Sequence, residues 1–558
     1  MLKTKIVSSL EKALVGSEIE AYPEIKKIGA LRGERVSFQL LHKFVYEPGL
    51  GGDSRKALAK ISLDGDLAKY ATVRDVCNVA IDRPTLQAAA NDDNYITKSP
   101  AILPDVLRPL HNVDQVCISG DTLHSVWIDV EIPTRVKKGR HKLTVKLTSA
   151  AGNTEDSIII DVIPATLPDE TIYLTQWFHC DCLASYYDVK TWSPKHWKII
   201  ENYARVAVKN GINLLLTPTF TPPLDTAIGG ERPTTQLVGV TQNGGEYSFD
   251  FTLLDKWIAM CNRVGIKYFE IAHFFTQWGA QHAPKVMATV DGEYKKIFGW
   301  ETDAAGPEYA KFLRSFVSAF LAHMKARGDD KRCFFHISDE PHLDHLENYK
   351  KAKAIVADLL EGYTIMDALS NYDFWSLKVC DTPIPANNHI APFIENNVPN
   401  LWTYYCCSQA NKVSNRFIAM PSCRTRSIGY QMYKYNIVGF LQWGYNFYYC
   451  FHSTDLINPY LQQDGDSWLP AGDSFSVYPA QNGEAWESIR IIVFNEALSD
   501  LKVMRMVEKY CGKEAIVKII DEVIGCDVTF DDCATSASQI LTIREKMNDM
   551  LKKALKNN

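Results

Sequence analysis

The side chains best equipped for chemistry in this chain are acids and aromatics that stand where apolar runs end. The densest group is HISDEPH (336–342), where Asp339 and Glu340 adjoin at the end of the apolar run CFFHIS and Pro341 turns the chain away. Successive side chains of a strand point to opposite faces, so both carboxylates reach one ligand only where the strand breaks, and a proline marks such a break. The plain alternative puts one acid in a cleft and the other on the surface or at a helix cap. Other apolar runs end in Trp177 and His179, Thr217, His273, Asp367, Asp381, Tyr404 and Tyr405, and Trp443 and Asn446. Acids beside aromatic platforms suit a sugar, whose apolar ring faces stack on Trp and Tyr while carboxylates serve its hydroxyls and the scissile oxygen. There is no nucleophile elbow, no Ser/His/Asp spacing and no histidine pair of metalloprotease type.

A nucleophile and an acid flanking a glycosidic bond sit about 5 Å apart, or roughly 6.5–9.5 Å with a water between, and normally come from different strands. Adjacent acids better suit a 2-acetamido sugar, whose own carbonyl oxygen attacks the anomeric carbon. The protein then needs one acid on the leaving oxygen and one carboxylate on the amide N–H. Trp402 and Tyr404 alternate along one run and share a face, where a phenol can donate to the acetamido oxygen. Trp443 is the candidate floor under the ring, with Trp278 as another platform. His179, Asp181 and His273 are candidates for hydroxyls, Tyr405 and Asn446 complete the cleft set, and His336 falls in the interior. Two rival readings stay open: a two-carboxylate retaining glycosidase, with Glu340 as acid and Glu270 or Asp381 as nucleophile, and a catalytically silent carbohydrate-binding protein.

Eight strand-like runs can present these residues: IYLTQWF (172–178), INLLLTP (212–218), IKYFEIAH (266–273), CFFHISDE (333–340), YTIMDA (363–368), LKVCDTP (377–383), LWTYYCC (401–407) and IVGFLQWGYN (437–446). Stretches of helical period lie between them. In 193–211 Ser193 can cap, Pro194 suits the first turn and Gly211 the exit; a second helix opens at Pro307 with an apolar stripe from Tyr309 to Met324. Buried strands alternating with amphipathic helices predict parallel βα units, and eight of them a closed barrel with its chemistry at the strand ends. No glycine-rich phosphate loop supports an open doubly wound sheet. Ahead of them, 34–44, 121–132, 141–149 and 156–164 are short, partly alternating runs, a β-sandwich signature, and PATLP (164–168) reads as a stiff hinge. The expected chain is therefore multidomain: an N-terminal β-sandwich (1–168), a (β/α)8 TIM-like barrel (169–510) and a C-terminal helical extension (511–558).

Hydrophobic residues at 46% and aromatics at 11% supply a large core with rings left over for a cleft. A net charge of -6 without a basic block argues against nucleic acid as a partner. Glu11, Lys12 and Glu18 interrupt the first apolar stretch, so no export signal is expected and the location expected is cytoplasmic; no run is long and apolar enough for an integral membrane segment. Neither HCDC (179–182) nor Cys406–Cys407 has zinc-ligand spacing, so reduced thiols and no metal site are expected. Nothing in the pattern sets an oligomeric state.

IAHFFTQWGAQHAPK (271–285), HISDEPH, LKVCDTPIP (377–385), LWTYYCC, LQWGYN (441–446), GDSFSVYP (472–479) and SIR (488–490) together resemble the motif series of glycoside hydrolase family 123, in order and over nearly the whole chain. The resemblance implies an exo-acting β-N-acetylgalactosaminidase that needs no cofactor and takes an oligosaccharide or glycosphingolipid with a terminal β-GalNAc. It implies that Asp339 orients the acetamido group, and that Glu340 protonates the leaving oxygen and then activates water, with retention through an oxazolinium intermediate. On that division of labour the pKa of Glu340 should lie above that of Asp339. Asp473, Tyr478 and Arg490 belong to the same pattern, read most simply as an internal brace.

Overall fold

The computed structural model describes residues 1–45, 58–110, 114–118, 120–150, 152–169 and 172–557. The chain is multidomain, with a strand-rich N-terminal region and a helical C-terminus. Its first region holds two five-stranded sheets. One has the spatial order Leu2–Ser8, Arg35–Phe44, Leu123–Glu131, Ala71–Ile81, Ala101–Pro109; the other runs Lys27–Arg32, Gly152–Thr166, Gly139–Ser149, Leu58–Asp64, Gln115–Cys117. Phe38, Leu40, Val126 and Ile128 of the first meet Leu143, Val145, Ile158 and Ile160 of the second in one apolar cluster, the period-2 pattern expected of half-buried strands. All four runs read from the sequence are strands, and six further strands escaped that reading. The expected hinge begins inside a strand: Pro164 lies within Gly152–Thr166, whose pairing with Lys27–Arg32 slips between Ile163 and Thr166, as a residue without an N–H requires.

Each of the eight later windows holds a parallel strand: in chain order Tyr173–Gln176, Leu214–Thr217, Tyr268–Ile271, Cys333–Phe335, Thr364–Ala368, Thr382–Ile384, Trp402–Tyr404 and Gly439–Gln442. The second to sixth form one sheet in sequence order; the first, eighth and seventh form another. The sheets touch at both edges, where the Asn213 amide donates to the Leu174 carbonyl and the Tyr404 amide to the Pro385 carbonyl, each at 3.1 Å. The sixth strand sits at the end of its window, because Asp373–Ser376 is a helical turn and Lys378 has φ 57°. Trp402 stacks on Tyr173 (5.5 Å, 7°), and a Cβ on Gly439 would lie inside its indole, so glycine is required there.

Helix Pro194–Lys209 is capped by Ser193, which accepts from the His196 amide at 3.3 Å, and helix Pro307–Arg327 buries the whole expected stripe. A four-stranded sheet built from 239–250 and 286–298 has no counterpart in the sequence reading. Helix Ile489–Cys511 packs on Ser422–Lys434, and Lys513–Ile524 and Ala537–Asn557 pack on it in turn. All fourteen cysteines are free thiols.

Candidate active site

The acid pair arises where the fourth strand leaves its ladder. Beyond Phe335 the chain bends at Ile337 but stays bonded to the segment after the third strand, its His336 and Ile337 carbonyls accepting from the Phe274 and Phe275 amides (3.2 and 3.1 Å). The Asp339 carbonyl accepts from the Trp278 amide (2.9 Å), and the Glu340 amide donates to the Ala368 carbonyl at the end of the fifth strand (3.0 Å). Between these anchors Glu340 takes φ 43°, in the left-handed region, directly before Pro341. A residue preceding proline is pushed toward extended backbone, so this conformation is strain that the two anchors hold in place. It rotates Glu340 out of the strand's alternation, and both half-buried carboxylates line one cleft of about 660 Å³, mouth included.

Trp443 and Trp468 form an aromatic wall of this cleft, their ring centroids 6.1 Å apart. Trp443 is fixed by its Nε1–H, which donates to Asp473 Oδ2 at 2.9 Å. Tyr404 donates its phenolic hydrogen to Glu340 Oε1 at 2.7 Å. His179 is a neutral wall residue: burial and Arg232 hold it down to about 3, its Nδ1 accepts from Arg232 (3.1 Å) and its Nε2–H donates to the Trp443 carbonyl (2.8 Å).

Burial, and then the charge of Glu340, push Asp339 well above the usual carboxylate range. Asp339, to which the sequence reading gave the lower pKa of the two, is thus a raised acid in the free protein. Below the cleft, His336 donates to Glu270 from Nε2 (2.8 Å) and to Asp367 from Nδ1 (3.0 Å). Burial lowers its pKa, but the two carboxylates outweigh burial and raise it to about 9, making it the cation of a buried triad. Glu270 also accepts from Trp177 Nε1 (2.6 Å), and Asp367 from Tyr349 (2.5 Å). His273, His336 and Asp367 bring donor atoms within 4.8 Å of one another, the one such grouping among the described residues. Both nitrogens of His336 are spent on carboxylates and its ring lies stacked 4.2 Å from that of His273, so the three do not converge on a point.

Of the expected site residues, the cleft receives Asp339, Glu340, His179, Trp278, Tyr404 and Trp443. Five stand elsewhere. Asp181 is buried in a two-pronged pair with Arg232 (2.8 and 2.7 Å). His273 lies beneath the floor with neither ring nitrogen bonded. Trp402 is one strand repeat deeper than Tyr404, and Tyr405 faces the outer core against Phe440 (4.8 Å). Asn446 clasps the backbone of His179 (2.9 and 3.1 Å), positioning it without reaching the cleft. Glu270 is fully enclosed and Asp381 pairs with Lys353 at the surface, so neither offered nucleophile lines the cleft. Sequence reasoning missed Asp225, Gln277, Trp468 and Arg232, which lie in loops without periodicity. Of the three brace residues, Tyr478 (2.6 Å) and Arg490 (2.9 Å) both bond Asp105 of the N-terminal sheet, whereas Asp473 accepts from Trp443 and Gln442 instead.

No curated protein matches the sequence. In three dimensions the chain is similar to a family 123 glycoside hydrolase from Clostridium perfringens, with a TM-score of 0.73 at 14% identity over 100% of this chain and 98% of that one. A β-glucuronidase from Parabacteroides merdae (TM-score 0.32, 9% identity, 89% of this chain and 51% of that one) and an endo-β-1,4-mannanase from Thermotoga petrophila (0.33, 12%, 60% and 77%) are too distant to carry an argument. The glycoside hydrolase 123 catalytic domain matches residues 177–507, a span that begins directly after the first of the eight parallel strands, reaches into the helix behind the last and encloses both acids. With more than half of its length matched, the chain belongs to glycoside hydrolase family 123 and is a glycoside hydrolase.

Proposed function

We propose that the protein is an exo-acting, retaining β-N-acetylgalactosaminidase that removes terminal β-GalNAc from glycans or glycolipids by substrate-assisted catalysis. One observation carries this reading: the two cleft acids are sequence neighbours turned to one side, while Glu270 and Asp381, the candidates for a second-strand nucleophile, stand outside the cleft. Neighbouring carboxylates serve two adjacent sugar positions better than two faces of one bond. The similar Clostridium perfringens protein is described in terms of glycolipid glycan hydrolysis, which agrees with such a substrate. In the same reading the eight parallel strands form one (β/α)8 barrel, joined at Leu174–Asn213 and at Pro385–Tyr404, over 169–510, between an N-terminal β-sandwich and C-terminal helices.

In the free cleft Asp339 holds the raised proton. When the acetamido N–H docks on Asp339, the carboxylate form is favoured there and the proton moves to Glu340, whose Oε1 already accepts from Tyr404. Glu340 then protonates the leaving oxygen through Oε2 while the acetamido oxygen attacks C1. Asp339 stabilises the charge that grows on the amide nitrogen. Glu340, now ionised, takes a proton from the water that opens the oxazolinium ring, and the β configuration is kept. Trp443 supplies the apolar face for the ring.

A panel of aryl β-glycosides differing at C2 and C4, assayed with the parent and with Glu340→Gln, tests the proposal. The parent should require the N-acetyl group, prefer the galacto configuration and be inhibited by a thiazoline analogue. Glu340→Gln should lose substrates with poor leaving groups and keep those with good ones. Equal hydrolysis of 2-hydroxy sugars, or a covalent adduct trapped by a 2-fluoro sugar, would establish the two-carboxylate route instead.

A further inference from the structure

Asp225 lines the cleft beside Asp339 and Gln277 without a role in the chemistry above. It sits in the loop after the second strand, and its backbone is held on both sides: its amide donates to Gln277 Oε1 (2.6 Å) and its carbonyl accepts from Ser453 Oγ (2.7 Å). Its φ of 55° is left-handed, which aspartate tolerates better than most residues. The side chain held this way has a buried Oδ2 with no hydrogen-bond partner.

The neighbours do not supply one. Arg232 is close enough to act on the charge of Asp225, but spends its guanidinium on Asp181 and His179. Asp473, also within electrostatic reach, is occupied by Trp443 and Gln442. A buried carboxylate oxygen without a donor is unfavourable, and a ligand hydroxyl relieves it. Burial, only partly offset by Arg232, raises Asp225 to about 7, consistent with a carboxylate that waits for a donor.

The position also selects a part of the ligand. Glu340 is assigned to the bond at C1 and Asp339 to the acetamido group at C2. Asp225 lines the same cleft and lies close enough to Asp339 to act on its charge; with C1 and C2 served by the acid pair, the hydroxyls left for it are those beyond C2. We propose that Asp225 is a substrate-binding residue that accepts a hydrogen bond from a hydroxyl on the C3–C4 edge of the sugar; this rests on the reading that an N-acetylated pyranose occupies the cleft.

The test is a cycle between protein and sugar. The full-length parent, Asp225→Asn and Asp225→Ala are assayed for kcat/KM on an aryl β-N-acetylgalactosaminide and on its 3-deoxy and 4-deoxy analogues. Calorimetry follows binding of free N-acetylgalactosamine and the same two deoxy sugars. In the parent, one deoxy analogue should lose about 10- to 100-fold, the weight of a hydrogen bond to a charged group. In Asp225→Ala the full sugar should fall by a similar factor, and the deoxy penalty should shrink to about twofold or less. A purely structural Asp225 would lower every sugar equally and leave the deoxy penalties intact, which overturns the proposal. Total loss of turnover in Asp225→Ala that azide restores would make Asp225 a nucleophile and overturn it as well. Should the parent ignore the N-acetyl group, the catalytic reading fails on its own, and the calorimetric cycle still decides the contact at Asp225.

Discussion

Tyr404 gives its phenolic hydrogen to Glu340 at 2.7 Å, which fixes one carboxyl oxygen and leaves the other to work. Tyr404→Phe should therefore lower kcat/KM by about 10- to 100-fold through kcat, as loss of a preorganised donor does, with KM little changed. Initial rates on an aryl N-acetylgalactosaminide check it. Asp339 carries a prediction about stability. Its ordinary value is 3.8 and the fold raises it, so between those two values the folded state binds more protons than the unfolded chain, and stability falls as pH rises through that window. Asp339→Asn removes this penalty: it should lose turnover yet melt about 1 °C above the parent at pH 7, the equivalent of roughly 1 kcal/mol for a chain of this length, with the gain gone below about pH 4. Calorimetric melts at the two pH values decide it. The acid pair was legible in the sequence because adjacency and Pro341 together imply a broken strand. Trp402, Tyr405 and His273 were misjudged because alternation along a strand tells which face a side chain takes but not its depth below the rim. Asp225 and Arg232 left no signal, since their loops have no period to read.

At the scale of elements, the His336 triad joins three strands from within: Glu270 from the third, Asp367 from the fifth, and His336 from the end of the fourth. Its folded pKa of about 9 exceeds the unfolded 6.5, so its stabilisation is fully present below pH 6.5 and is lost as pH rises through 9. The loss should approach about 3 kcal/mol, read as a falling urea midpoint between pH 6.5 and 9 at constant salt. All eight parallel strands were legible because each is an apolar run bounded by turn residues. The sheet from 239–250 and 286–298 was not: Glu293–Phe298 is mostly exposed and charged, and hydrophobic periodicity is silent about strands that bury so little. Leu58–Asp64 and Ala71–Ile81 do alternate, burying Ala59 and Ile61 in one and Val76, Val79 and Ile81 in the other, but small or charged inward residues such as Ala59 and Arg74 weaken the contrast that a sequence reading relies on.

Across the whole molecule, the N-terminal sheets are tied to the remainder by buried charge. Asp105 takes both Tyr478 and Arg490, and Glu487 accepts from Arg35 (3.2 Å) and from Arg74. Arg544 of the last helix forks onto Glu34 (2.7 Å twice). Breaking such a pair strands a charge, so Asp105→Ala should cost about 3–5 kcal/mol. The two regions should also still unfold in one denaturant transition, followed by tryptophan fluorescence. The partners in these pairs lie hundreds of residues apart, which is why sequence motifs pointed to a brace but not to its far end. A different economy governs the acids themselves. The backbones of the two acids are anchored to different neighbours, Asp339 to Trp278 and Glu340 to Ala368, and the Glu340 carboxyl is tied in addition to Tyr404. Breathing of the 336–340 segment therefore acts on the spacing of proton donor and amide acceptor, and the seventh strand, through Tyr404, limits how far the donor can follow.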